Sequence, residues 1–329
     1  MSQPDQQVVA GPTGAPGQAL ATLAALEGSV AGVVATSPET VRLAVACLAG
    51  GGHLLVEDHP GVGKTTLAKA LAGAVGLGFH RLQCTADLLP ADVVGATVLG
   101  SDGAAPEFRP GPVFTNVLMA DELNRASPRA QSALLEAMEE RQVTVDGSTY
   151  ELPSPFFVLA TQNPYDAAGT SPLPHGQRDR FLVRLTLGYP GRRQMDDMLA
   201  GPDPAETVRH LRPAATAGEL HFLMAAVAAV RVAPAARAYV LDVVEATRSH
   251  PLIAVGASPR AALALVRVAS ALALGRGRDF VTPDDVQQAA VPTLAHRLLL
   301  RPGVDVSGDQ AMALVAEVTA SVPVPLRDH

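Results

Sequence analysis

His53-Leu54-Leu55-Val56-Glu57-Asp58-His59-Pro60-Gly61-Val62-Gly63-Lys64-Thr65-Thr66 is the segment around which this chain is organised. A short apolar run stops at Glu57, a Pro- and Gly-rich turn follows, and Lys-Thr-Thr opens an alanine- and leucine-rich segment. That pattern predicts strand, tight loop, helix. Such a loop gathers successive backbone N–H groups into a concave nest at the positive end of a helix, where a polyphosphate binds favourably. Gly61 and Gly63 let the backbone approach oxygens closely and take positive φ. The candidate nucleotide-binding residues are Pro60, Gly61, Val62, Gly63, Lys64, Thr65 and Thr66. Lys64 would reach the outer phosphates, and the Thr65 hydroxyl would coordinate Mg²⁺. The head of this P-loop pattern calls for glycine, and Asp58 stands there; Asp tolerates left-handed geometry better than most residues. The competing reading is a glycine-rich turn without a ligand. Lysine usage favours the phosphate: the only lysines are Lys64 and Lys69, every other strongly basic side chain being arginine.

The length of 329 residues suggests roughly two domains. An apolar content of 48% allows sizeable cores, and a net charge of −7 argues against whole-surface attraction to nucleic acid or an anionic membrane. Cys47 and Cys84 have neither metal-ligand spacing nor a disulfide framework, which fits a reducing, cytoplasmic setting. No signal-peptide pattern opens the chain, and no apolar run reaches membrane-spanning length.

Residues 1–18 read as a disordered tail of Gln, Pro and Gly. Ser37-Pro38 starts a helix that ends at Gly50-Gly51-Gly52. Phe79 to Cys84 reads as a second strand. Residues 96–112 interrupt the αβ unit, as a hairpin inserted into a helix or as a surface loop. Val117-Leu118-Met119-Ala120 is a buried parallel strand ending in Asp121-Glu122. In open α/β sheets, ligands sit beyond the carboxyl ends of the strands. There Asp121 would hold Mg²⁺ through its water shell, and Glu122 would polarise the attacking water. Residues 142–152 alternate around Asp146-Gly147, a hairpin pattern. Phe156 to Ala160 is another buried strand, followed by Thr161-Gln162-Asn163-Pro164; Asn163 would position the lytic water or simply occupy an Asn-Pro turn. Val183 to Leu187 closes a fifth strand. Beyond Tyr189-Pro190-Gly191 strand patterns nearly vanish, so residues 19–188 form an α/β core and 189–329 a helical second domain.

Together these motifs resemble the AAA+ ATPases, and within them the MoxR family. The resemblance rests on His53 to Thr66, Phe108-Arg109-Pro110-Gly111-Pro112, Ala120 to Ala126, Ala160 to Pro164, Asp179-Arg180-Phe181 and Gly256-Ala257-Ser258-Pro259-Arg260. It implies a P-loop NTPase three-layer sandwich with a five-stranded parallel sheet, followed by an all-α lid. It implies that Asp121-Glu122 is the Walker B pair and Asn163 the sensor 1 residue. Arg180 would be an arginine finger for a neighbouring subunit's nucleotide. Arg260 would be the sensor 2 arginine, folded from the lid onto the γ-phosphate. It also implies a helix-2 insert at 96–112 and a hairpin before sensor 1. The sequence departs from the family at Asp58 and at His175-Gly176, and Arg178 competes with Arg180 for the finger role.

The implied activity is ATP hydrolysis in a homohexameric ring, driving chaperone-like remodelling or maturation of a protein client. Partners with a von Willebrand factor A domain are implied by the same resemblance. Rival readings are a nucleotide-gated scaffold without productive hydrolysis, a chelatase-type motor, and a DNA-directed motor, the last disfavoured by the acidic balance.

Overall fold

The computed structural model describes residues 15–98, 106–163, 170–171, 173–302 and 308–325. Helix α1 (Ala15–Ala31) begins inside the segment expected to be tail; residues 1–14 of that tail lie outside the described residues. Helix α2 (Pro38–Ala49) starts as its Ser-Pro pair predicts, with the Ser37 hydroxyl accepting from Thr40 N. The strands that follow are β1 (Leu54–Glu57), β2 (Phe79–Gln83), β3 (Gly95–Val98), β4 (Glu107–Pro110), β5 (Val117–Asp121), β6 (Gln142–Val145), β7 (Ser148–Glu151), β8 (Phe157–Gln162) and β9 (Val183–Leu185). Between them lie α3 (Lys64–Ala74), α4 (Pro90–Val94), α5 (Pro128–Glu140) and α6 (His175–Arg178).

The central sheet has the order β2-β5-β8-β1-β9, and every pairing in it is parallel. Its middle strands are buried on both faces, hence their unbroken apolar runs. Successive side chains still alternate between faces. Leu54, Val56, Val117, Met119, Phe157 and Leu159 enter one core, whereas Leu55, Leu118, Ala120, Val158 and Ala160 enter the other. The second core is closed by α4 and α5. The first is shared with α1, α2, α3 and the lid helices.

Glycine at the end of α2 answers a close approach. A Cβ on Gly52 would collide with Leu182, which leads into β9. Strands β3 and β4 pair antiparallel, as a hairpin insert requires, although residues 99–105 between them lie outside the described residues. The second hairpin, β6–β7, turns on Asp146 and Gly147, both at positive φ. The hairpins touch through their aromatics: Phe108 stacks on Tyr150 at 4.0 Å between ring centroids.

The lid comprises α7 (Arg192–Ala200), α8 (Pro204–Arg209), α9 (Ala217–Ala229), α10 (Pro234–Ser249), α11 (Pro259–Gly275), α12 (Pro283–Leu294) and α13 (Gly308–Ser321). It is not wholly helical: Ile253–Val255 and Leu299–Leu300 form a short antiparallel pair. Helices α1 and α2 pack against α9 and α11, so the lid shares a continuous core with the sheet's first face.

Candidate functional site

The phosphate loop leaves β1 at Glu57 and enters α3 at Lys64. Gly61 and Gly63 take φ of 83° and 99°, and a Cβ on either would meet nothing within 4 Å. Conformation, rather than crowding, therefore asks for glycine at both. Val62 is buried in the first core and anchors the loop. Pro60 is exposed, and Thr65 and Thr66 open the helix half-buried. The Lys64 ammonium donates to the main-chain carbonyls of Asp58 at 2.6 Å and His59 at 3.2 Å. Burial lowers its pKa, opposed by the charges of Asp58, Asp121 and Glu122. Asp58 does not take the left-handed backbone expected of it. Its carboxylate is buried and accepts from the backbone N–H of His59, Leu187 and Gly188, each at 2.7 Å.

The parallel pairing of β5 with β2 and β8 brings the acidic couple to the same edge. One hydroxyl organises it: Thr161 Oγ1 donates to Asp121 Oδ1 at 2.6 Å and accepts from Glu122 N at 2.9 Å. Glu122 sits in left-handed backbone, φ 56°, a conformation costing a non-glycine residue about 1–3 kcal/mol. That twist turns its amide to Thr161, and its carboxylate meets Arg125 at 3.1 Å and Gln83 at 3.3 Å. Asp121 Oδ2 accepts from Arg81 Nη2 at 2.6 Å and Nε at 3.1 Å. Asn163 follows β8 at this edge, and its carbonyl lies 3.4 Å from Asn124 Nδ2. The donors fit a hydrated Mg²⁺: a hydroxyl and one carboxylate supply hard oxygens, and substrate phosphates would supply the others. No cluster of three or more His, Cys, Asp or Glu suited to a metal occurs among the described residues.

Arg180 and Arg260 lie elsewhere. Arg180 precedes β9 and Leu182 N bonds to His53 O, so Arg180 stands where β1 begins. At about 3.3 Å per residue, β1 separates that edge from the phosphate loop by about 13 Å. Both arginines converge on Glu139 near the end of α5, Arg180 Nε at 2.8 Å and Arg260 through Nη2. They hold its carboxyl below the usual range, Arg260 contributing most. Arg260 is thus not folded onto the phosphate loop of its own chain, contrary to the sequence expectation. The lid arrives at the opposite edge because Arg297 ties it there, 3.0 Å from Asp179 and 2.6 Å from Phe181 O. His175, at the family departure, also bonds to Arg297 O, at 2.6 Å. Arg178 is half-buried and has Glu57, at the end of β1, and Arg184 as its charged neighbours, so it does not join Arg180. A cavity of about 330 Å³ opens at this edge, lined by Glu139, Asp179 and the arginines 141, 180, 260, 267 and 297.

The family model for the ATPase family associated with various cellular activities (AAA) matches residues 53–183, and that for an AAA lid domain matches 245–318. The chain is 46% identical over 285 residues to the uncharacterized protein YeaC of Bacillus subtilis, covering 87% of this chain and 89% of the relative. It is 42% identical to Chaperone MoxR1 of Mycobacterium tuberculosis, covering 76% and 68%. It is 33% identical to Protein MoxR of Methylorubrum extorquens, covering 94% and 98%. The chain belongs to the MoxR family of AAA+ ATPases. A crystal structure of a Cytophaga hutchinsonii protein superposes with a TM-score of 0.83 at 32% identity, over 94% of this chain and 98% of that one.

In this MoxR-family chain, then, Lys64, Thr65, Asp121, Glu122 and Asn163 come to one edge and Arg180 and Arg260 to the other. Sequence reasoning gave no role to Thr161, Arg81 or Gln83. Arg81 and Gln83 alternate on one face of β2, a period-two signal that a strand reading carries. A second cavity, about 440 Å³, lies between residues 31–41 and helices α7 and α8. Thr36 in its lining donates from Oγ1 to Leu187 O at 3.0 Å, and Leu187 N in turn donates to the Asp58 carboxylate.

Proposed function

We propose that this MoxR-family chain binds ATP with Mg²⁺ at the Pro60–Thr66 loop and hydrolyses it where a neighbouring copy supplies Arg180 and Arg260. The observation that carries the reading is the division of residues between the two sheet edges. Lys64 and the loop amides hold the triphosphate tail, and Thr65 and Asp121 hold the hydrated cation. Mg²⁺, when bound, neutralises charge across the outer phosphate oxygens. Glu122 takes up the proton of the attacking water, and Asn163 orients that water. Thr161 fixes Asp121 and Glu122 relative to one another. The cavity beside Thr36 receives the base. Arg180 and Arg260 stabilise the charge that develops on the phosphoryl group of the next copy's nucleotide, the basis for a ring, hexameric by the family resemblance.

The name Chaperone MoxR1 on a 42% identical relative supports a protein client, remodelled or matured by lid motion passed to the two hairpins. The test is Glu122→Gln. It keeps nucleotide binding, read by titration with a fluorescent ATP analogue, and loses phosphate release by about 10² or more. Undiminished turnover would remove Glu122 from the assignment. A wild type that binds ATP but releases no phosphate at any protein concentration would instead be a nucleotide-gated scaffold.

A further inference from the structure

Asp58 occupies the position where the phosphate-loop pattern has glycine, and four of its groups are engaged at once. Its N–H bonds to Gln162 O at 3.2 Å, at the end of β8 and one residue before Asn163. Its carbonyl receives the Lys64 ammonium. One carboxylate oxygen caps His59 N within the loop, and the other accepts from Leu187 N and Gly188 N. Those last two residues join β9 to the lid. Gly188 has a φ of 68°, so the chain turns there in a conformation that suits glycine. The connection continues: Leu187 O accepts from Thr36 Oγ1, and Gln194 on α7 donates to Thr36 O at 2.7 Å. A glycine at 58 would leave the amides of 187 and 188 without this acceptor. A buried carboxylate shared among three backbone N–H groups forms charge-assisted bonds, shorter and stronger than neutral ones.

We infer that Asp58 is a positioning residue that couples the phosphate loop to the hinge between core and lid. The inference rests on the nucleotide-binding reading above. To reach a phosphate, Lys64 must leave the Asp58 carbonyl. The same residue holds the hinge amides through its side chain, so a change in the loop is passed directly to Leu187 and Gly188, and from there through Thr36 and Gln194 to the start of α7.

The test is amide hydrogen exchange of the full chain, with and without a non-hydrolysable ATP analogue and Mg²⁺, in the wild type, Asp58→Gly and Asp58→Asn. In the wild type, exchange at Leu187 and Gly188 changes severalfold on adding nucleotide. Asp58→Gly raises basal exchange at those two amides by about tenfold or more and abolishes their response to nucleotide. It binds nucleotide within about threefold of wild type, since glycine is the residue the loop pattern accepts. Its kcat falls more than its KM changes. Asp58→Asn has one acceptor oxygen where the carboxylate has two, so it cannot serve His59 N and the hinge pair together. Exchange rises at the hinge amides by less than in Asp58→Gly, and their response to nucleotide shrinks, which keeps the test available if Asp58→Gly fails to fold. Asp58→Glu, retaining the acceptor on a longer arm, restores part of the response. Hinge amides as protected in Asp58→Gly as in wild type, or still responsive to nucleotide there, overturn the inference, and so does a wild-type hinge indifferent to bound nucleotide. Failure of the underlying reading looks different: the wild type then shows no saturable nucleotide binding at all.

Discussion

Where β1 ends, positive charge is matched pair by pair: Arg184 meets Glu57, and Arg125 meets Glu122. Lys64 feels Asp58, Asp121 and Glu122, and Arg81 is bound to Asp121. Where β1 begins, five arginines line one cavity with two carboxylates. Backbone supplies much of the first edge, through a glycine loop and a helix N-terminus. Long side chains supply the second, drawn from α5, the segment before β9 and the lid. In the proposed function the first edge takes up a polyanion and its cation. The second carries surplus positive charge, partly neutralised by Glu139, and has no phosphate loop of its own chain within reach. The difference teaches that the loop and the arginine cluster of one chain face apart, so the proposed phosphoryl transfer draws on two copies.

The hardest test of that contrast is complementation. Arg180→Ala is expected to lower phosphate release by about 10³ or more, and Lys64→Ala to abolish it by removing the ammonium from the phosphates. Mixing the two inactive proteins should restore part of the activity, because the intact loop of one meets the intact arginines of the other. A mixture as inactive as its components would break the pairing of the two edges.

Acid should act on the arginine edge. His53, at the start of β1, donates from Nε2 to Met138 O and accepts from Val158 N at Nδ1. Burial is the main cause that lowers its pKa to about 4, with Arg141 adding to it against the Met138 hydrogen bond. The unfolded imidazole titrates near its ordinary value of about 6.5. Between about pH 6.5 and 4 the unfolded state therefore binds the extra proton, and stability falls as pH falls. His296, buried in the lid and bonded to Phe181 O, is lowered for the same first cause and works in the same direction. His53 alone should cost about 2 kcal/mol between pH 7 and pH 5, measurable as a shift in the urea midpoint. A midpoint flat over that interval would show that the imidazole is not held neutral.

Glu139→Gln should do least to stability. Its partners are partly exposed, Arg260 by 49% of its side chain, and such pairs contribute about 1 kcal/mol or less. A denaturation curve displaced by several kcal/mol would mean that Glu139 braces the arginine edge structurally.

The phosphate edge was largely legible because its residues are contiguous: the loop from Pro60 to Thr66, and the pair Asp121-Glu122 at the end of an apolar run. Thr161 escaped notice for a physical reason. Its hydroxyl acquires a role only when β8 pairs with β5, bringing together residues 40 apart in sequence. The arginine edge was legible residue by residue but not in place. Nothing local to Ser258-Pro259-Arg260 says which edge the lid covers; Arg297, still farther along the chain, decides it by reaching Asp179 and Phe181 O. The tail boundary slipped because Ala15 to Gln18 has no apolar periodicity of its own, yet the helix that Ala19 onward makes extends back to Ala15.

The span of about 13 Å along β1 has an arithmetic of its own. Copies that join front to back make a file with unlike termini: the leading member offers a loop that no arginine reaches, and the trailing member offers arginines with nothing to grip. A file of any length is one working junction short of its membership. Only by curving until its termini meet does every member gain a neighbour on both sides, so closure adds a junction without adding a subunit.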